Sequence, residues 1–279
     1  MDQRLLRYFG AEPEQAELLS PAAVVVDKEL KDRGTTLRIE QAIADRYSAV
    51  VLMDFVAPEG TVLDGDYYIL GDHDYLGLRA TSSEGTELNT LSTEFTLLED
   101  EDPADNHISL LFTIHDIAGK FNFLGGELSM DFEGLYDSNV TENALAEGRW
   151  KCKVTLPQED PGVCTVLDTP INIGENQVTL HSLYLSPISL TLELRQGQDH
   201  METIGRDVND SEKWQKQVIL NTIEGQGLPV GDCNFLHTIY TSDSGLYSFR
   251  LESIMDPAQV ASVTLFGQTF SLKDKKSIL

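Results

Sequence analysis

The sequence predicts an all-β protein: two β-sandwich domains of immunoglobulin-like type, residues 23–160 and 161–279, behind a short helical N-terminal segment, residues 1–22. Three observations carry this expectation. From Val24 onward the chain breaks into many short stretches in which apolar and polar residues alternate, the signature of strands with one face in a core. Turn signals such as Asp32-Arg33-Gly34, Pro58-Glu59-Gly60 and Gly125-Gly126 separate them, at a spacing that suits sandwiches rather than a parallel sheet with helices. Val178–Leu194 reads as two strands meeting at Ser186-Pro187. Its alternation runs through Val178, Leu180, Ser182 and Tyr184 and resumes at Leu190, Leu192 and Leu194.

The elements follow in order. Residues 2–20 read as one or two short helices, with Pro13 in a first turn and Gly10 closing the turn before it. Strands of the first domain are expected at Val24–Lys28, Thr35–Ala42, Ala49–Val56, Tyr67–Leu70, Tyr75–Ala80, Leu91–Leu98, Ile108–Asp116, Glu127–Phe132 and Trp150–Leu156. The second domain is expected to contain Cys164–Leu167, Gln177–Tyr184, Ser189–Arg195, Asn234–Tyr240, Gly245–Glu252 and a closing hairpin, Val263–Phe266 and Thr269–Leu272. Gly267-Gln268 is read as that hairpin's two-residue turn. Pro187 has no N–H for a ladder, so it belongs at a corner or edge. Asp256-Pro257 reads as an N-cap followed by a first helical residue, giving one helical turn before the hairpin.

The charge is extreme. Twenty basic residues against 46 acidic ones give −26, and residues 1–160 hold 12 of the basic and 32 of the acidic ones. Such a surface repels phosphate backbones and anionic headgroups, so nucleic acid is excluded as an expected partner. The sequence has no apolar run long enough to span a bilayer and no charged-then-apolar leader, so it reads as cytosolic or as a piece lacking its membrane segment. Cys152, Cys164 and Cys233 read as small buried side chains, with a Cys152–Cys164 hairpin disulfide as the alternative.

Candidate chemistry is sparse. Asp64, Asp66, Asp72, His73 and Asp74 crowd one turn-rich stretch, and calcium takes such hard oxygens. The calcium candidates are Asp64, Asp66, Asp72 and Asp74. Their spacing lacks the glycine and closing Glu of an EF-hand, and turn-capping Asp residues produce the same pattern. The six histidines are scattered without zinc spacing, and His115-Asp116 and Asp199-His200 are neighbours that a strand sends to opposite faces. No Gly-x-Ser-x-Gly elbow and no phosphate-binding Gly-x-x-x-x-Gly-Lys-Ser/Thr loop is present. No catalytic residue and no cofactor is expected. Tyr67, Tyr68, Tyr75, Trp150, Trp214, Tyr240 and Tyr247 read as core or cross-strand aromatics rather than a sugar platform, Tyr67-Tyr68 excepted, since neighbours on a strand face opposite ways.

Several segments carry a likeness. Asp32–Phe55 places a strand after a Gly turn, then Asp45, then a second strand. With Tyr184-Leu185-Ser186-Pro187-Ile188-Ser189, the Met255–Gly267 hairpin, Trp150 and Leu156-Pro157, it resembles the extracytoplasmic domains of membrane-anchored anti-sigma factors, a family of unknown function. These pair with extracytoplasmic-function sigma factors, mainly in Gram-positive bacteria. The resemblance implies a non-catalytic sensor region on the cell surface that receives an unknown envelope signal or protein. It would meet the membrane only through a helix absent from this chain. A cell-surface adhesion or glycan-binding module is the alternative expectation, and an uncharacterised hydrolase the third.

Overall fold

The computed structural model describes residues 1–65, 68–71, 77–88, 91–99, 102, 105–116, 121–137, 144–173, 176–195, 217–230, 235–240, 244–251 and 253–272. The described residues form two compact units, 1–5 with 20–160 and 6–19 with 161–279. The N-terminal stretch forms the short helices α1 (Gln3–Tyr8) and α2 (Ala16–Leu19), with single 3-10 turns at Pro13–Gln15 and Ser20–Ala22. Among the described residues no helix is long and apolar enough to cross a membrane.

Among the described residues the first unit is a sandwich of ten strands: β1 (Ala23–Asp32), β2 (Thr35–Ala44), β3 (Ser48–Val56), β4 (Tyr68–Gly71), β5 (Leu78–Thr81), β6 (Glu87–Leu88), β7 (Leu91–Leu97), β8 (His107–Asp116), β9 (Glu127–Asp137) and β10 (Ala146–Thr155). One antiparallel sheet runs β1-β2-β3-β8-β7. The other runs β10-β9-β5-β6, with β4 also on β9. Period-2 alternation sends Leu37, Val51, Phe55 and Phe112 from the first sheet onto Leu128, Met130, Phe132 and Trp150 of the second. Phe55 meets Trp150 edge-on at 5.3 Å, and Phe95 stacks on Phe112 at 4.4 Å. Such pairs add about 1 kcal/mol each beyond their buried area. Trp150 lies where a Cβ on Gly148 would stand, 2.4 Å from its ring, so glycine is required there.

The second unit holds β11 (Val163–Ile173), β12 (Asn176–Leu185), β13 (Ser189–Arg195), β14 (Val218–Thr222), β15 (Gly227–Pro229), β16 (Phe235–Tyr240), β17 (Ser244–Arg250), β18 (Val260–Leu265) and β19 (Gln268–Ser271). Its sheets run β11-β12-β13-β17-β16 and β15-β14-β18-β19. Leucines of β12 and β13, with Tyr247 and Phe249, pack against Val218, Leu220, Val263 and Leu265. The all-β sandwich architecture is therefore the expected one.

Four details differ from the sequence reading. On β12 a bulge at His181 breaks the alternation, so the core face continues at Leu183 and Leu185 while Ser182 and Tyr184 turn to the opposite face. One inserted residue flips every side chain beyond it. On β11 the strand runs past Leu167 through Pro170 to Ile173. Here β11 is an edge strand, where a missing N–H costs nothing. The last hairpin turns at Phe266-Gly267, not Gly267-Gln268. Both residues have positive φ (49° and 80°), as a type I′ turn demands, and Leu265 pairs with Gln268. Strands β6, β14 and β15 were not expected at all. Asp256 does cap its 3-10 turn, accepting from the Ala258 N–H at 2.8 Å. Ser186 closes its corner as expected, its Oγ accepting from the Ser189 N–H at 3.0 Å.

Candidate functional site

Of the calcium candidates, Asp64 is exposed beside a turn, and Asp66, Asp72 and Asp74, like His73, lie outside the described residues. Among the described residues no group of three or more His, Cys, Asp or Glu side chains is placed to hold a metal. His115 and Asp116 are both buried, and the Asp116 carboxylate accepts from the Phe121 N–H at 2.8 Å. Asp199-His200, Tyr67, Tyr75, Trp214 and Cys233 lie outside the described residues. Tyr68, Trp150 and Tyr247 are buried. Neither Cys152 nor Cys164 is in a disulfide. Burial pushes the Cys152 thiol up to about 11, which makes it a poor nucleophile near neutrality.

Among the described residues three polar clusters bear on function. The first lies on the outer face of the β1-β2-β3-β8-β7 sheet, where register aligns Arg38, Asp54 and Ser109 across β2, β3 and β8. A bulge at Glu40, between Ile39 and Gln41, aims a second carboxylate at Asp54. Arg4 reaches in from α1: its guanidinium donates to Asp54, to the Ser109 hydroxyl at 2.8 Å and to Asp2 at 2.9 Å. The Asp2 backbone N–H donates to Gln41 at 2.9 Å. Burial works to raise the Asp54 carboxyl, but hydrogen bonds from His107, Arg4 and Ser109 outweigh it and hold it far below the carboxylate range. Burial and the neighbouring Asp54 charge push Glu40 upward.

The second cluster is in the second unit. The bulge residue Asp168, at φ 46°, contacts His181 Nδ1, while Ser182 Oγ donates to Glu193 at 3.1 Å and Arg195 pairs with Glu193 at 2.9 Å. The serine hydroxyl faces the glutamate and not the imidazole, so this is no nucleophile–base pair.

The third is a groove of about 740 Å³ over the outer face of the sheet that β9 forms with β10, β5, β6 and β4. Register places Arg79, Ser129 and Lys153 side by side on β5, β9 and β10, with Lys151 beside Asp131 in the next row. Gly77 lets the chain enter β5 against β9: its carbonyl accepts from the Asp131 N–H at 2.7 Å, and any Cβ there would overlap the Asp131 carbonyl. Lys28 of β1 completes the ring of cations, and the aliphatic stems of these long side chains, with Leu30 at the β1 edge, supply the apolar surface, while Met130 and Cys152 beneath turn toward the core. Asp131 is the lining's one carboxylate among the described residues, held down at about 2 by hydrogen bonds from Arg149 and Lys151. Lys153 pairs with Glu127 at 2.6 Å, and exposed Arg79 meets no acidic group among the described residues. The groove is thus locally cationic on a chain of net charge −26. Sequence reading missed it. Its one signal was Arg149-Trp150-Lys151-Cys152-Lys153, which puts three cations on one strand face.

No family model matches this chain, and no curated protein matches it. Among solved structures it is similar to a conserved domain protein from Bacillus anthracis, at 11% identity and a TM-score of 0.59, over 88% of this chain and 78% of that one. The likeness shows the fold alone.

Proposed function

We propose that this chain is a non-catalytic recognition region that works by binding, in the manner of the extracytoplasmic sensor of a membrane-anchored anti-sigma factor. The observation that carries the binding reading is the groove: four cationic side chains gathered around an apolar surface on one face of a strongly acidic chain. Concave apolar surface with a few converging polar groups is what a small-ligand site requires. The extracytoplasmic, anti-sigma part is supported by the resemblance of Asp32–Phe55, the Ser186-Pro187 corner and the Met255–Gly267 hairpin. A glycan platform draws no support from Tyr68, Trp150 and Tyr247, which are spent on the cores.

In this reading ligand binding shifts the region between two conformations, and the shift is bounded by the ligand's difference in affinity for them. The test is the native reading frame upstream of Met1. A membrane-spanning helix preceded by a small helical cytoplasmic domain is the expected result. A start at Met1 with no export signal overturns the surface-sensor reading.

A further inference from the structure

We infer that the groove of the first unit binds a small amphipathic anion, an acidic head group carried on a short apolar body. This deepens the binding reading above by naming the ligand's chemistry. Lys28, Arg79, Lys151 and Lys153 outnumber the two carboxylates they meet, Asp131 in the lining and Glu127 beside it, and Leu30 and the aliphatic stems of the cations give the groove its apolar surface. Long lysine and arginine stems cover apolar surface while their heads stay in water, so the same residues serve the body and the head of such a ligand.

Size argues for a small ligand. Residues 1–160 carry 12 basic and 32 acidic side chains, so a polyanion extending beyond the groove meets repulsion. Charges on the surface are felt over roughly 8 Å at physiological ionic strength, and an anion seated inside the groove stays within reach of its cations. Geometry argues against an added peptide strand. The free edge of β10 is occupied by β1: the Arg149 N–H donates to the Asp32 carboxylate at 2.9 Å, and Lys28 donates to the Lys153 carbonyl. An incoming strand finds those backbone groups taken.

The test is calorimetric titration of the full chain with decanoate, decyltrimethylammonium and acetate, at low and physiological salt. Decanoate is expected to bind one per chain, at least tenfold more tightly than either control, and more weakly as salt rises. Arg79→Glu combined with Lys153→Glu is expected to lower decanoate affinity tenfold or more, and Arg195→Glu in the second unit to leave it unchanged. Ser129→Trp fills the groove without changing its charge and is expected to abolish binding, with circular dichroism confirming that each variant folds. Equal binding of the two amphiphiles, no binding of decanoate, or wild-type affinity in the double variant overturns the inference. A groove that ignores decanoate leaves the reading-frame test standing, and an upstream frame without a membrane helix leaves the titration standing.

Discussion

The two outer faces of the first sandwich carry cross-strand charge rows that are built alike and resolved differently. On one, Arg38, Asp54 and Ser109 lie abreast, and Arg4 folds over them so that Asp54, 8% exposed, is surrounded by donors. On the other, Arg79, Ser129 and Lys153 lie abreast with cations in excess, and among the described residues no segment like α1 folds over them. A charge that is buried must be matched on the spot, because an uncompensated one costs several kcal/mol. A charge left in water has no such constraint and can hold its field for a ligand. The first face is a clamp on the N-terminal residues; the second is the face proposed to receive a ligand.

The comparison breaks most visibly at Asp54. Asp54→Ala leaves the Arg4 guanidinium without its carboxylate on β3 and is expected to cost about 2 kcal/mol, below the 3–5 of a fully buried pair because Arg4 keeps some water and its bond to Asp2. Chemical denaturation followed by hydrogen exchange at β3 and β8 measures it; a loss under about 0.5 kcal/mol would mean the clamp holds nothing. The same substitution alters the acid limb. The folded carboxyl lies below its unfolded value, so its contribution is fully present above the ordinary Asp pKa of about 3.9 and is lost as pH falls through and below it. Stability of Asp54→Ala should therefore fall less steeply below about pH 4 than that of the wild type.

The second face predicts the reverse. Arg79→Glu with Lys153→Glu changes exposed groups whose ion pairs contribute little, so unfolding free energy should move by less than about 0.5 kcal/mol while anion binding is lost. A destabilisation as large as that of Asp54→Ala would make the second face structural as well, and the contrast would fail.

The sequence made one face partly legible and the other almost not. Alternation placed β2, β3, β8, β9 and β10 within a few residues of their ends, because burial on one face imposes period 2. It could not place β14, whose Val218-Ile219-Leu220 is too short a run to signal a strand, nor did it follow β12 across the His181 bulge, where the phase shift from Leu180 to Leu183 and Leu185 is masked by an unbroken alternation through Ser182 to the apolar Tyr184. The Pro170 extension of β11 was hidden for a related reason: only knowing that the strand is an edge makes a proline admissible. The groove draws its cations from β1, β5 and β10, and each reads alone as an ordinary solvated position. Register between strands brings them together, and register is a property of the fold.

The smallest expected effect sharpens the clamp itself. Glu40 stands on a bulge where burial and the Asp54 charge raise its pKa. Its ionised form is thus disfavoured in the folded state, a penalty present above the folded pKa and absent once pH falls far enough to protonate it. Glu40→Gln should stabilise the chain at pH 7 by about 0.5 kcal/mol after solvent screening, with the gain fading as pH falls through the raised folded pKa and gone below the ordinary Glu value of about 4.3. In the Asp54→Ala background the repulsion is gone and Arg4 is in need of an acceptor, so the same substitution should become neutral or destabilising. That change of sign, read from a double-mutant cycle, separates a carboxylate tolerated beside Asp54 from one the clamp requires, since a required Glu40 would destabilise on removal in both backgrounds.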